Sequence, residues 1–443
     1  MEAGLPGAAT RKPLIIRGGT ILTFEGRAVS PVRGDLLLKD GAIAEVGGEI
    51  TSPGAEVIDA TDMLVMPGLV DSHMHLWSSL GRNFVNSASD FYTAKGRTAA
   101  HYTPEDFYRS VKLGLAQCID AGITTVHNWS HNTRSPEHAD AELRAHLHTG
   151  LRARYSYGHR DGLARDEVFG FEDVDRVRET WLGANDAFDG LMTLGVNLRG
   201  PDGSDEKVFA AEMAGAQSRG LPVSIHAGQT STTVRADELA RNGLLGPSML
   251  VAHFLTATPQ DVAALAGENA SLAFAVLSEL RLGRTGAAHN ALMQARAAGV
   301  NVSLSTALGP TDLFEVMNVV FHLGIPWSDT ATEACPDLSF DDVFTMATLN
   351  GAAALGLSDV TGSIDEGKRA DIVLVRETDL NLAPMGGAPV GALIRFGSPA
   401  NVDTVIVDGR VLKRAGKLVH LDVDQVVSEA RESADSVLAR AGN

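Results

Sequence analysis

Two histidines, separated by a single methionine, end the apolar run Val65-Met-Pro-Gly-Leu-Val-Asp-Ser-His-Met-His75. Successive strand residues face opposite sides, so His73 and His75 share a face and Met74 takes the other. Two neutral imidazoles held that close can chelate a zinc or iron ion. Without an ion they would be two polar residues closing a strand. His226 ends a similar short run, Pro222-Val-Ser-Ile-His226, and reads as a third ligand. His253 ends Met249-Leu-Val-Ala-His253, where it either touches the metal, hydrogen-bonds its water, or merely caps the turn that follows.

These side chains need a scaffold that brings strand ends together. Short apolar strands alternate with alanine-rich helical stretches at Leu64 to Val70, Thr124 to Asn128, Ala153 to Tyr157, Met192 to Asn197, Val223 to His226, Met249 to His253, Ser271 to Val276 and Val302 to Ser305. Eight such units fit an α/β fold, a closed (β/α)8 TIM-like barrel, in which functional groups collect at the C-terminal strand ends. Flanking text is different. Leu14-Ile-Ile, Ile21-Leu-Thr-Phe, Asp35-Leu-Leu-Leu-Lys and Ala42-Ile-Ala-Glu-Val are β-like, with Asp40-Gly41 as a hairpin turn. The pattern returns in Asp371-Ile-Val-Leu-Val and Val402-Asp-Thr-Val-Ile-Val, before Asp408-Gly409 and Arg410-Val-Leu. We therefore expect one small β-sandwich from residues 1–64 and 361–420, a barrel over 65–360, and an outer helix within 421–443.

Further candidates lie near the expected strand ends. Glu279 follows the seventh strand and either faces the pocket, where it would pair with a substrate N–H, or sits in a helix first turn favoured by the dipole. Asp312 either caps the next helix or lines the pocket. His127 and His131 flank Trp129 after the second strand, and each is a pocket-lining or a structural histidine. Trp77, close behind the paired histidines, is an aromatic wall or ordinary packing. With Phe314, the two tryptophans point weakly to an aromatic or heterocyclic ligand. His289 falls in an alanine-rich helical stretch and is read as unrelated to the site.

Composition narrows the partners. Against 37 basic residues stand 55 acidic ones, a net charge of -18 that repels phosphate backbones and anionic membranes. A nucleic-acid partner is not expected. No apolar run reaches the roughly 18 residues of a membrane span, and Met1 to Arg17 lacks a signal peptide's apolar core, so a cytoplasmic protein is expected. Cys118 and Cys335 show neither metal spacing nor a disulfide framework and read as reduced packing residues. The expected partners are a small-molecule substrate and, as for many barrels of this size, further copies in a homo-oligomer.

The chain resembles the amidohydrolase superfamily over nearly its whole length, nearest the mononuclear branch of cytosine-deaminase-like and chlorotriazine-hydrolase-like enzymes. The resemblance rests on Val65 to His75, Gly122-Ile-Thr-Thr-Val126, His226, His253 and Gly362-Ser-Ile-Asp-Glu-Gly-Lys-Arg-Ala-Asp-Ile-Val373. It implies one divalent metal, zinc first and iron second, held by His73, His75 and His226 with His253 beside the metal's water. Binuclear relatives carry a carbamylated lysine at the fourth strand end; Asn197 and Arg199 stand there instead, which favours a single metal.

Two departures matter. The family ends its eighth strand in Gly-Thr-Asp, whose aspartate holds the metal and takes a proton from water, whereas this chain reads Ser305-Thr306-Ala307. A methyl group does neither. In the ring deaminases that the chain resembles, a glutamate three positions after the fifth-strand histidine protonates the ring nitrogen; here Gln229 can donate a hydrogen bond but cannot shuttle a proton. The expected activity is metal-dependent hydrolysis of a non-peptide C–N bond, with His253 orienting the water or stabilising the oxyanion. Ala307 leaves three accounts open: an ordinary hydrolase inactivated by replacement of its aspartate, a natural divergent enzyme whose base is His253, Glu279 or Asp312, or a lyase, isomerase or ligand-binding pseudoenzyme on the same barrel.

Overall fold

The computed structural model describes residues 12–84, 91–228, 234–281, 283–307, 312–324 and 338–442. Five strands come first: β1 (Leu14–Glu25), β2 (Ala28–Lys39), β3 (Ala42–Gly47), β4 (Glu56–Asp59) and β5 (Met63–Pro67). The barrel follows with β6 (Leu69–Met74), β7 (Ile123–Ser130), β8 (Arg152–Gly158), β9 (Met192–Leu198), β10 (Val223–Ala227), β11 (Met249–His253), β12 (Ser271–Phe274) and β13 (Asn301–Leu304). Last come β14 (Ile372–Arg376), β15 (Val402–Val407), β16 (Arg410–Arg414) and β17 (Lys417–Leu418).

From β6 to β13 each strand pairs in parallel with the next in sequence. The ring closes just beyond β13, where Ala307 bridges to Met74. Its N–H donates to the His73 carbonyl at 2.9 Å, and its own carbonyl accepts from the His75 N–H at 3.1 Å. Outward-facing Val126, Tyr155, Val196, Ile225, Val251, Leu272 and Val302 join the main core beneath the helices. Capping boxes at Thr103 and Thr258 start two of those helices, Pro104–Asp120 and Pro259–Gly267. Branched apolar side chains usually fill such a lumen. Here much of it is small or polar: His127 bonds Ser156 and Ser224 across it, Ser303 bonds Ser72, and Ala252 and Ala273 line another wall.

The terminal strands form one nine-stranded mixed sheet in the order β17-β16-β15-β14-β5-β1-β2-β3, with β4 on β1. Register breaks between Ile16 and Gly19 of β1, and Leu14, Ile16, Leu36, Ile43, Val65, Ile372 and Ile406 form an enclosed core, the small β-sandwich. Both Asp-Gly turns have positive φ at both residues, as the tight primed turn requires. The run expected as one strand from Leu64 to Val70 is two. The chain leaves the sandwich after Pro67 and enters the barrel at Leu69. Gly68 permits the switch, since a Cβ there would lie 1.9 Å from Thr124 Oγ1.

Sandwich and barrel are joined by buried charge: Arg152 Nε donates to Asp371 Oδ2 at 2.6 Å and Nη2 to Oδ1 at 3.1 Å. The C-terminal helix Val423–Arg440 buries Val426, Ala430 and Val437. It is tied to helix Pro104–Asp120 through Lys112 and Glu429, 3.1 Å apart. Among the described residues no helix is long and apolar enough to cross a membrane.

Candidate active site

His73 and His75 leave the end of β6 beside His226 of β10, and their ligand nitrogens all lie within 4.8 Å of one another. His73 Nε2 and His226 Nε2 are 3.2 Å apart. Ligands of a tetrahedral ion with bonds of about 2.0–2.1 Å would be separated by roughly 3.3 Å, so the pair already has metal-site spacing. His75 Nδ1 lies 3.4 Å from the Trp129 carbonyl, which leaves Nε2 as the nitrogen that could reach an ion. His73 Nδ1 is buried with no partner among the described residues. Burial, then the neighbouring imidazoles, hold all three rings well below the ordinary histidine range. They are neutral at physiological pH, the form that binds metal. The donor set fits one divalent ion.

His253 stands against this group, its ring stacked on that of His226 with centroids 5.1 Å apart. Glu279, fully buried in the short helix Val276–Arg281 after β12, places Oε1 2.5 Å from His253 Nδ1. Its other oxygen, Oε2, has no partner among the described residues. The sequence left Glu279 between a pocket and a helix-dipole role. In the structure it is both in a helix first turn and bound to the histidine beside the three-imidazole cluster.

The other candidates fall into two groups. Trp129 stacks on His226 at 4.1 Å and backs that ring. Trp77 is buried against Phe107, and its Nε1 donates to His131 Nδ1 at 3.1 Å; His131 in turn packs on His75 with centroids 4.5 Å apart. His127 lies deeper, with Nδ1 2.7 Å from the Ser72 carbonyl and Nε2 2.8 Å from Ser156 Oγ. Asp312 caps helix Leu313–Leu323 by accepting the Glu315 N–H, Phe314 is core, and His289 Nδ1 meets the Leu323 carbonyl. Asn197 bonds the Ser156 carbonyl, while Arg199 pairs with buried Glu212 and gathers carbonyls of residues 164 and 167. Gln229 and Cys335 lie outside the described residues.

Three contributors escaped the sequence reading. Asp71, buried on β6, accepts the Thr306 hydroxyl at 2.6 Å and the His73 N–H at 3.1 Å, joining the two strands that flank the site. Burial pushes its carboxyl up to about 7. An acid within an apolar run was the available signal. Lys95 and Asp161 gave none: Lys95 Nζ lies 2.8 Å from His131 Nε2 and 3.0 Å from Asp161 Oδ2, an assembly of three segments distant in sequence.

The sequence profile of the amidohydrolase family matches residues 64–412, the barrel and much of the sandwich. The chain belongs to the amidohydrolase family. This amidohydrolase is 30% identical over 449 residues to a 5'-deoxyadenosine deaminase of Methanothermobacter thermautotrophicus, covering 96% of this chain and 98% of that protein. Its fold is similar to that of an adenosine deaminase from Xanthomonas campestris with bound zinc, at a TM-score of 0.82 and 22% identity over 97% of this chain and 99% of that one. An atrazine chlorohydrolase from Arthrobacter aurescens TC1, complexed with zinc, superposes at a TM-score of 0.79 and 21% identity over 95% and 100% of the two chains. The resemblance read from the motifs is thus borne out. As a member of the family, the chain is an amidohydrolase-type hydrolase of non-peptide C–N bonds.

Proposed function

We propose that this amidohydrolase hydrolyses an exocyclic C–N bond on a small nitrogen heterocycle, using one zinc ion held by His73, His75 and His226. The observation that supports it best is the convergence of three neutral imidazoles beside the His253 and Glu279 pair. A bound zinc ion supplies Lewis acidity and brings the pKa of a water to about 7. His253 takes the proton of the attacking water at Nε2, the ring nitrogen not engaged by Glu279, and returns it to the leaving nitrogen. Glu279 Oε1 fixes the ring's orientation and offsets the charge it gains. Oε2, buried and unpartnered among the described residues, accepts an N–H of the substrate ring. This dyad replaces the carboxylate missing at Ala307. The substrate class rests on relatives that act on deoxyadenosine and a structural neighbour that acts on a triazine.

The test is elemental mass spectrometry of the purified chain, followed by turnover of 5'-deoxyadenosine and amino-triazines by the parent, His253→Gln and Glu279→Gln. The expected result is about one metal per chain. His253→Gln should lower kcat about 10²–10⁴-fold with metal retained. An undiminished rate in that variant would remove His253 as the base. Ala307 favours a second reading, a non-hydrolytic lyase or isomerase using His253 and Glu279. Near-zero metal, persisting after incubation with zinc or iron, would put that reading first.

A further inference from the structure

We infer that the floor of this barrel binds a small monovalent anion, a halide such as chloride, at Arg154. The inference is independent of the catalytic reading. Arg154 and Arg152 sit two residues apart on β8 and so share its lumen-side face. Arg152 has its carboxylates, Asp371 and Asp408. Arg154 has none among the described residues: it is 4% exposed, and its Nε and Nη1 are buried without a partner there. Burial brings its pKa down only to about 10, with no carboxylate offsetting the effect, so the guanidinium stays charged at neutral pH. A buried cation needs a counter-charge, and water supplies none.

The surroundings provide donors and a way in. In register, His127 of β7 lies beside Arg154 on one side and Thr193 of β9 on the other. Both ring nitrogens of His127 are already engaged. Thr125, diagonal to Arg154 on the same face of β7, has a buried hydroxyl with no partner among the described residues. Two guanidinium N–H groups and one hydroxyl, on the same face of neighbouring strands, are therefore left without an acceptor among the described residues. The next lumen-facing residues, Ser156, Gly195 and Ser224, are small, and they pack closely: a Cβ on Gly195 would meet Ser156 Oγ at 2.8 Å. Thr193 is exposed at the N-terminal end of its strand, which opens this layer to solvent.

Crystals of the full chain soaked in sodium bromide test the site directly. An anomalous bromide peak in contact with Arg154 is the expected result; its absence overturns the proposal. In solution, replacing gluconate by chloride at constant ionic strength should raise the melting temperature by about 2 °C or more in the parent. The rise should vanish in Arg154→Met. A halide-dependent rise that persists in that variant, or no rise in the parent, counts against Arg154. Should Arg154→Met fail to fold, the bromide map and the parent's halide dependence still decide.

Discussion

Ala307, where the motif resemblance implies an aspartate, has its backbone held from both sides by His73 and His75. Its φ of +54° lies in the left-handed region, which costs most L-residues about 1–2 kcal/mol and which aspartate tolerates better than alanine. The local backbone thus suits the residue that is missing. Ala307→Asp should tighten zinc binding at least about tenfold, since an anionic ligand joins three neutral ones. Competition against a chromophoric chelator measures this, and equal affinity would show that the new carboxylate does not reach the ion. If the chain is an inactivated hydrolase, the same change raises turnover on a substrate it binds. A rate unchanged or lowered would favour the dyad of His253 and Glu279 as the native base.

At the scale of elements, helix Pro136–Thr149 turns a carboxylate inward against β7. Glu142 accepts from Ser130 Oγ at 2.8 Å and from Asn128 Nδ2 at 2.6 Å, and burial raises its pKa from 4.5 to about 7. Between those values the folded chain keeps a proton that the unfolded chain releases, so raising the pH through this window weakens the fold. The loss should reach about 3 kcal/mol above pH 7 and be absent below about pH 4. Glu142→Gln removes the titration, so its melting temperature relative to the parent should climb from pH 5 to pH 8. A constant difference would mean that Glu142 titrates as an exposed glutamate does. Most strands were legible because the lumen and helix-facing sides alternate in short apolar runs. Leu64 to Val70 misled because apolarity continues through Gly68, and only the close approach to Thr124 reveals the change of sheet.

For the whole molecule, the barrel and sandwich depend on a charge pair remote in sequence. Asp371→Ala would leave Arg152 buried with the longer contacts to Asp408, at 3.5 Å, and to the Gly190 carbonyl, at 3.4 Å, and should cost about 3 kcal/mol or more in urea unfolding. A loss under about 1 kcal/mol would show that this pair is not what holds the two units together. Metal acts at the same scale, since His73 and His226 come from strands on different parts of the ring. Stripping it with a chelator should lower the melting temperature, and added zinc should restore it. No shift would mean that the three histidines hold no ion in the purified chain.

By itself the sequence determined the barrel, the split sandwich and the three imidazoles, because strand period, Asp-Gly turns and histidines at strand ends are local signals. Tertiary structure alone decided which polar groups meet. It joined Glu279 to His253, Lys95 and Asp161 to His131, and Asp71 to Thr306, and it spent Asp312 on a helix cap. Among the described residues it also left Arg154 without a carboxylate such as Arg152 has. Closure of the ring sets those pairings, bringing together residues tens to hundreds of positions apart, and no spacing within one segment records it.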